Sequence, residues 1–395
     1  MKKREILTKN EVIEGFREHF KVAPGFLVRT PGRVNLMGDH TDYNGGFVLP
    51  MTIDKAVWMG VRQRGDGVVR IYSVDYEGEC RFDVHGELKK DQNTWFEYIK
   101  GCAWALLQKN FPLSGFDAVL MGDVPQGSGL SSSAALEVTS LLVFAELGGF
   151  ELSATDIARL GQEVENQWLG LGSKLESKFG VTDQLICAAG QADKALLIDC
   201  NDLEYRPLDL PEGTVAAVLD TAAHHSVASA VYNERQEQCQ AACKILGVSS
   251  LRNATQEMLD AGKKNMPDAV FRRVRHILSE NLRTRAAAAA LREKTPDVFG
   301  KLMDESHFSL QYDFEVSCFE LDTITSIARG HSACLGARMT GKGLGGSAVA
   351  LLYTEADDFT DYVSKHYRQQ TGRFPNITLC RATEGGRVEK LQGKI

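Results

Sequence analysis

The chain has 395 residues, of which 43% are hydrophobic and 25% are charged, and its formal net charge at pH 7 is −7. This length and balance predict a globular protein of two ordinary domains, not a disordered or fibrous chain. The negative charge argues against a nucleic-acid surface, which needs clustered Lys and Arg, and no window is long and apolar enough to predict a membrane span.

The first half is predicted to have one N-terminal helix, then strands, and then further helices. MKKREILTKNEVIEGF predicts an amphipathic helix and not a signal peptide, because no apolar stretch follows its lysines. Short alternating apolar runs predict strands in the first hundred residues, and FEYIKGCAWALLQKNF has helical periodicity. VPQGSGLSSSAALEVTSLLVFAELGG then predicts a strand end, a glycine loop and a buried helix that begins near Ser131. The helix after it has a capping-box spacing at Ser153.

The second half is predicted to be an α+β domain. A Pro and Gly turn between two predicted strands places the domain boundary near residue 213, which gives domains 1–213 and 214–395. Three helical segments follow this turn, and SACLGARMTGKGLGGSAVALLYT predicts a glycine-rich loop before a strand. Helices first and strands later in this half are typical of an α+β fold. The length of the chain makes two domains that meet at a cleft the expected architecture.

The nine cysteines are scattered along the chain without any CxxC pair. An odd number without a secretory signal predicts reduced thiols and a cytoplasmic protein. The close pair Cys239 and Cys243 is four residues apart in a helical pattern, and no His or further Cys lies at a zinc spacing nearby. We therefore expect these two residues in a core or on a helix surface and not at a metal.

The clearest chemical signal is the glycine and serine loop before the buried helix. Gly127 and Gly129 allow the backbone to approach a ligand, and Ser131, Ser132 and Ser133 begin the helix. The free N–H groups and the dipole of a helix N-terminus favour an anion. A serine-rich helix cap is the structural alternative, but a cap needs one hydroxyl and no glycines. Because the residue order fits neither a Walker P-loop nor GxGxxG, we expect a phosphate site of another design.

A second cluster of polar residues precedes an Asn-Gly pair in GRVNLMGDHTDYNGG. A hairpin turn explains the Asn-Gly pair but not the four residues before it, which are Arg33, Asp39, His40 and Asp42. Carboxylates and an imidazole offer the donors and acceptors that sugar hydroxyls require. The cluster therefore predicts a sugar site.

Two further segments have a structural and a functional interpretation. Asp183 in FGVTDQL is expected as an N-cap or in the first turn of a helix. TGKGLGG precedes an apolar strand, and it is either a mobile turn or the lining of the nucleotide phosphates or of the substrate cleft.

Together these segments resemble the galactokinase branch of the GHMP small-molecule kinases, along nearly the whole chain. PGRVNLMGDHTDYNGGFVLP is similar to the galactokinase signature, PQGSGLSSSAA to the family's phosphate loop, and ARMTGKGLGGSAV to its C-terminal glycine motif. The resemblance implies an N-terminal domain with a left-handed βαβ crossover, a ferredoxin-like C-terminal domain and an active site in the cleft between them. It also implies transfer from ATP with Mg²⁺ to the anomeric hydroxyl of galactose, which gives galactose 1-phosphate.

The resemblance also assigns roles to individual residues. Arg33 and Asp183 match the catalytic pair, with Asp183 as the base toward the sugar hydroxyl. The positions that match sugar contacts are Asp39, His40, Asp42, Gly180 and Tyr232. The positions that match nucleotide contacts are Trp95, near adenine, and Gly127, Ser128, Gly129, Leu130, Ser131, Ser132, Ser133 and Ala134 of the loop. Ser133 and Glu165 match the magnesium ligands, and such hard oxygen ligands suit Mg²⁺.

The chain departs from the family pattern in places that concern sugar specificity. Asp39 replaces the usual Glu, Lys342 enters the C-terminal glycine motif, and the segment 172–178 lengthens a loop before Asp183. A kinase for arabinose, N-acetylgalactosamine or a uronic acid is therefore an alternative. A shorter Asp39 would tolerate arabinose, which lacks the C6 hydroxyl, whereas its charge would repel a uronate.

An alternative from another class is a non-catalytic regulator that binds sugar and ATP. The intact serine loop and the presence of both Arg33 and Asp183 argue against it. The expected partners are thus a small sugar and ATP, with neither nucleic acid nor membrane, and the expected assembly is a monomer or a weak dimer.

Overall fold

The structure is a computed structural model that describes residues 6–91, 94–125, 127–170, 181–224, 226, 228–354 and 356–391. The strands of these residues are β1 (Phe26–Met37), β2 (Phe47–Gln63), β3 (Val68–Ser73), β4 (Gly78–Asp83), β5 (Phe116–Gly122), β6 (Lys194–Asp199), β7 (Tyr205–Asp209), β8 (Thr214–His224), β9 (Cys334–Met339), β10 (Gly345–Tyr353), β11 (Asn376–Cys380) and β12 (Arg387–Lys390). Across the same ranges, no helix is long and apolar enough to cross a membrane.

The α-helices lie mainly after the first four strands. They are α1 (Lys9–Phe20), α2 (Phe96–Gln108), α3 (Ser132–Gly148), α4 (Ala154–Glu163), α5 (Val181–Ala189), α6 (Ala228–Leu246), α7 (Gln256–Gly262), α8 (Asp268–Arg292), α9 (Pro296–Ser309), α10 (Phe319–Arg329) and α11 (Phe359–Thr371). Short π-helical segments continue α4 and α9 at Val164–Trp168 and Leu310–Phe314.

The first sheet has the strand order β12-β1-β2-β5-β3-β4, and β6 and β7 extend from β2. Its strands pair antiparallel except for β3 and β5, which pair in parallel. Parallel neighbours require a crossover connection, and α2 lies within it. The apolar helix α3 packs against β1, β2 and α2, so the core of this half lies between the sheet and these helices.

The second sheet is antiparallel, with the order β11-β8-β10-β9. Helices connect β8 to β9, a tight loop connects β9 to β10, and α11 connects β10 to β11. This connectivity and strand order are those of a ferredoxin-like unit, as the resemblance implied. The two-domain α+β architecture is thereby confirmed.

Several local predictions are confirmed. The buried helix α3 begins at Ser132, and Ser153 forms a full capping box with Asp156 at the start of α4. The Asn-Gly pair does not form a two-residue hairpin turn. Asn44 ends a 3₁₀ turn, Asp42–Asn44, and Gly45 follows it with φ +66°, so a longer loop joins β1 to β2.

The domain boundary near residue 213 stays a prediction. The chain changes from the first sheet to the second between β7 and β8, but β12 returns to the first sheet and pairs with β1.

Two glycines allow α9 to lie against β9 at backbone contact. A Cβ at Gly300 would come within 1.9 Å of Leu335 O, and a Cβ at Gly336 within 2.1 Å of Gly300 O. Both distances are shorter than any real contact. The approach matters for the cleft, because the C-terminal part of α9 contacts the end of β9, where His307 Nδ1 accepts from Met339 N at 3.1 Å.

We expect Gly300→Ala to lower the free energy of unfolding by about 1–3 kcal/mol, because the new methyl group must push α9 away from β9. Urea unfolding followed by circular dichroism measures the change. Gly65→Ala is the matched control, since a Cβ at Gly65 would meet no described atom within 4 Å. Equal midpoints for the wild type and Gly300→Ala would contradict the close packing.

Candidate active site

Arg33 reaches the cleft because β1 is irregular next to it. The register of β1 with β2 shifts between Pro31 and Arg33. A Cβ at Gly32 would come within 2.7 Å of Leu130 O, and Arg33 N donates to that same oxygen at 3.1 Å. Glycine at this position thus lets the phosphate loop dock directly on the strand.

Arg33 and Asp183 form a bidentate ion pair. Arg33 Nε donates to Asp183 Oδ1 at 2.8 Å and Nη2 donates to Oδ2 at 2.6 Å. Asp183 lies in the first turn of α5, as expected, and Ser131 Oγ also donates to it. Burial opposes the charge of Arg33, but the Asp183 carboxylate outweighs it and raises the pKa of Arg33. A pair of this geometry fixes both side chains.

The glycine and serine loop before α3 has an open backbone at its two glycines. Gly127 and Gly129 have φ of +73° and +71°, and a Cβ on either would meet no described atom within 4 Å. Ser131 precedes α3 with φ +54°, but its side chain makes no capping hydrogen bond. The helix-cap alternative is therefore wrong, because the Ser131 hydroxyl donates to Asp183 and does not cap α3.

Two predicted loop residues support the cradle from behind. Ser128 is 5% exposed, and its hydroxyl donates to Asp220 Oδ2 on β8 at 2.9 Å. Ser347 Oγ on β10 donates to Ser128 O at 2.8 Å. Ala134 is 1% exposed within the core. The side chains of Ser128 and Ala134 thus anchor the loop to the rest of the protein.

The loop between β1 and β2 is held by its own hydrogen bonds. Gly38 has φ +90°, and a Cβ there would lie 2.2 Å from Phe47 O, so only glycine fits. The Thr41 hydroxyl lies 2.8 Å from Gly38 O and 2.7 Å from Phe47 O. This arrangement brings Asp39, His40 and Asp42 to the cleft that Arg33 and Asp183 also line.

His40 and Tyr232 form the aromatic side of the cleft. Their ring centroids are 5.5 Å apart, and His40 Nδ1 lies 3.0 Å from Tyr43 Oη. Burial, followed by the charges of His276 and Arg338, lowers the pKa of His40 well below its usual value. His40 is therefore neutral, and its Nε2 finds no hydrogen-bond partner among the residues that the structure describes.

Asp42 and Glu165 are cleft carboxylates with raised pKa values. Burial raises the pKa of Asp42 to about 7, and the nearby charges of Asp183 and Asp39 add to the effect. Burial and then the charge of Asp183 raise the pKa of Glu165 to about 7 as well. Glu165 lies in the π-helical segment Val164–Trp168 and lines the cleft together with the serines of the loop.

The cleft continues into a second cavity. The cleft has a volume of about 1230 Å³, and the neighbouring cavity of about 690 Å³ shares Ser132 and Ser133 with it. Trp95 lines the second cavity, where its ring stacks on Tyr76 at a centroid distance of 5.9 Å. Trp95 and the described residues predicted to contact the sugar thus lie along one continuous depression, joined by Ser132 and Ser133.

Some predictions lie outside the described residues. Gly180 and the segment 172–178 lie outside the described residues. Within the described ranges, no group of three or more His, Cys, Asp or Glu is arranged as a metal site. Cys239 is buried in the core and Cys243 is half-buried beside it, as expected.

Sequence reasoning missed a set of buried charged residues behind the cleft. Gln184 Nε2 donates to Glu137 Oε2 at 2.7 Å directly behind Asp183 and Glu165, and Glu280 and Arg338 lie behind Asp39. The signal was present for two of them. Glu137 interrupts an otherwise apolar helix, and Arg338 lies between Ala337 and Met339 in a strand.

Three family models match the chain in sequence order. The galactokinase galactose-binding signature matches residues 14–63, the N-terminal domain of GHMP kinases matches residues 97–191, and the C-terminal domain of GHMP kinases matches residues 287–369. These segments contain the loop before β2, the phosphate loop and the glycine motif after β9.

Similar proteins extend over nearly the whole chain. The galactokinase of Roseiflexus sp. (strain RS-1) is 39% identical over 390 residues, which cover 97% of this chain and 98% of the relative. The galactokinase of Chloroflexus aggregans is 41% identical over 380 residues, which cover 95% and 96%. The crystal structure of Lactococcus lactis galactokinase complexed with galactose has a TM-score of 0.89 at 32% identity, covering 96% of this chain and 98% of that chain. Methanococcus jannaschii mevalonate kinase shares the fold, with a TM-score of 0.63 at 19% identity over 91% of this chain and 98% of that one.

The raised pKa of Asp42 predicts a pH-dependent stability. The folded pKa of about 7 lies above the ordinary value of 3.8, so the folded state binds a proton that the unfolded state has lost between these values. The free energy of unfolding contributed by Asp42 should therefore fall as the pH rises from about 4 to 7, and it should be constant above this window.

We expect Asp42→Asn to remove this decline. Relative to the wild type, the variant should become increasingly stable between about pH 4 and 7, as measured by urea unfolding at each pH. Asp357→Asn, at an exposed position, serves as the control. A constant difference between Asp42→Asn and the wild type across this range would show that Asp42 is ionised throughout.

Proposed function

The chain belongs to the galactokinases, a branch of the GHMP kinases, and we propose that it transfers the γ-phosphoryl group of ATP to the anomeric hydroxyl of galactose, giving galactose 1-phosphate. The observation that carries this proposal is the Arg33–Asp183 ion pair between the loop after β1 and the phosphate loop. A carboxylate and a guanidinium are held there where an acceptor hydroxyl and a phosphoryl group would meet.

In the proposed reaction Asp183 accepts the proton of the anomeric hydroxyl while the oxygen of that hydroxyl attacks the γ-phosphorus of ATP. The new O–P bond forms as the bond from phosphorus to the β-phosphate oxygen breaks, and ADP leaves. Arg33 holds Asp183 in one orientation and places a positive charge beside the transferred group. Positioning and charge neutralisation supply most of the acceleration in phosphoryl transfer.

We propose that ATP spans the two cavities. The phosphates would lie on the glycine and serine loop, where the N-terminus of α3 is free of a side-chain cap. The adenine would lie in the cavity lined by Trp95 and Tyr76, whose stacked rings offer an apolar surface. Ser132 and Ser133 border both cavities, which is where a triphosphate would join base to acceptor.

The residues present fit a magnesium ion at Ser133 and Glu165. Both line the cleft, and Glu165 is an acidic group whose charged form is disfavoured by burial and by Asp183, so a divalent cation would compensate it. Mg²⁺ prefers such oxygen ligands and would neutralise charge on the phosphates. The neighbouring Gln184, which donates to Glu137, acts against burial and lowers the pKa of Glu165.

The sugar would contact Asp39, His40, Asp42 and Tyr232 on the other side of the ion pair. The neutral imidazole of His40 offers an N–H or a lone pair to a hydroxyl, and the ring of Tyr232 offers an apolar face. We further propose a cytoplasmic enzyme that acts as a monomer or a weak dimer.

Asp183→Asn should lower kcat by about 10²–10⁴-fold, because the amide keeps the shape but cannot take the proton. Arg33→Met should cause a loss of similar size by removing the charge beside the phosphoryl group. Steady-state assays with galactose and ATP measure both, with circular dichroism to verify folding. Asp66→Asn is the matched control, since Asp66 forms a bidentate pair with Arg64 far from the cleft. Near-wild-type turnover in Asp183→Asn would exclude it as the base.

Ser133→Ala should raise the Mg²⁺ concentration needed for half-maximal rate, because one hard oxygen ligand is lost. Titration of the rate with Mg²⁺ at fixed ATP measures the shift. Ser132→Ala is the matched control in the same loop, and it should shift the titration less. Equal titrations for Ser133→Ala and the wild type would remove Ser133 from the metal site.

A further inference from the structure

Arg338 is a guanidinium buried completely behind the loop between β1 and β2. It lies on β9 and is 0% exposed. Nη1 donates to Leu36 O at 3.3 Å, and Nε donates to Ser306 Oγ at 3.1 Å. Nη2 lies 2.6 Å from Asp39 Oδ2. A buried charge is costly unless it is paired, so Asp39 is the counter-ion that makes this position tolerable.

Asp39 is in turn held from three directions. Asn35 Nδ2 and Gly341 N each donate to Asp39 Oδ1 at 3.2 Å. Oδ2 faces Arg338 in an ion pair whose angles are not those of a hydrogen bond. A carboxylate has about four acceptor positions, so three of them face the protein. Oδ2 is buried, so Oδ1 is the oxygen that Asp39 can offer to a ligand in the cleft that it lines.

A second buried anion fixes Arg338 from behind. Glu280 on α8 accepts from Ser306 Oγ at 2.5 Å and from Gly38 N at 3.0 Å. Burial alone would favour its neutral form, but Arg283, His276 and Arg338 outweigh burial and lower the pKa of Glu280 to about 2. Glu280 is therefore ionised, and through Ser306 it fixes the guanidinium that faces Asp39.

We propose that Arg338 is a positioning residue for sugar recognition, which holds the Asp39 carboxylate at a fixed distance from the acceptor sugar. The inference rests on the proposed galactokinase function. The ion pair keeps the Asp39 carboxylate from turning toward the ligand. Arg338 thus decides which hydroxyl Asp39 can accept from, although Arg338 does not itself line the cleft.

The test uses Arg338→Met, Arg338→Lys and Asp39→Asn alone, and each Arg338 variant together with Asp39→Asn, in the full-length protein. We expect Arg338→Met to raise the KM for galactose by about tenfold or more, as the loss of a charged partner implies, while the KM for ATP changes less than about twofold. The preference in kcat/KM for galactose over 6-deoxygalactose should fall as well. Arg338→Lys should restore part of the galactose affinity and part of the preference for galactose, because lysine keeps the positive charge but lacks the branched guanidinium group.

Two results decide whether Arg338 acts through Asp39. In the Asp39→Asn background, Arg338→Met should cost less than about threefold, because the carboxylate it positions is absent. Arg273→Met is the matched control, since Arg273 is 2% exposed and pairs with Glu315 away from the cleft. An undiminished cost in Asp39→Asn, or an equal loss of sugar affinity in Arg273→Met, would overturn the inference.

Ser306→Ala keeps the test decisive if Arg338→Met fails to fold. It removes the oxygen that accepts from Arg338 Nε and leaves the charge in place. We expect a smaller rise in the galactose KM that also disappears in Asp39→Asn, and a rise that persists there would overturn the inference. Wild-type turnover of galactose is measured first, because its absence would show that the proposed function fails, independently of the role of Arg338. Calorimetric titration with galactose then measures the same set of variants by sugar affinity, without turnover.

Discussion

The cleft depends on hydrogen bonds that join the end of β1 and the phosphate loop to the strands of the second sheet. Thr340 Oγ1 donates to Asn35 O at 3.1 Å, and Ser347 Oγ donates to Ser128 O at 2.8 Å. These bonds reach backbone carbonyls, so they fix the course of the chain and not only a side chain. Thr340 after β9 and Ser347 in β10 therefore position the end of β1 and the glycine and serine loop before α3 at the same time.

Four of the acids that line the cleft are stabilised in two different ways. Asp183 and Asp39 are each paired with a buried arginine. Asp42 and Glu165 have no arginine partner among the described ion pairs, and burial raises the pKa of each to about 7. The ion pairs hold Asp183 and Asp39 in one orientation, whereas Asp42 and Glu165 are the groups whose charge a bound cation or a hydroxyl would change.

Local features of this fold could be predicted from the sequence, and long-range pairs could not. The start of α3, the capping box at Ser153 and the place of Asp183 follow from residues within one helical turn. The ion pair of Arg338 joins residues almost three hundred positions apart in sequence, so no spacing pattern announces it. Asp39 would repel a uronate less than an isolated carboxylate would, because a buried guanidinium already pairs with it.

The first sheet is completed by β12, a strand that is synthesised after the whole second sheet. β1 pairs with β2 on one side and with β12 on the other, and Phe26 lies opposite Lys390. A nascent chain that has emerged only as far as β7 carries β1 as an unprotected sheet edge, and such edges invite pairing with other chains. The N-terminal half therefore cannot complete its sheet as it leaves the ribosome, and it waits for a strand made after the whole ferredoxin-like unit.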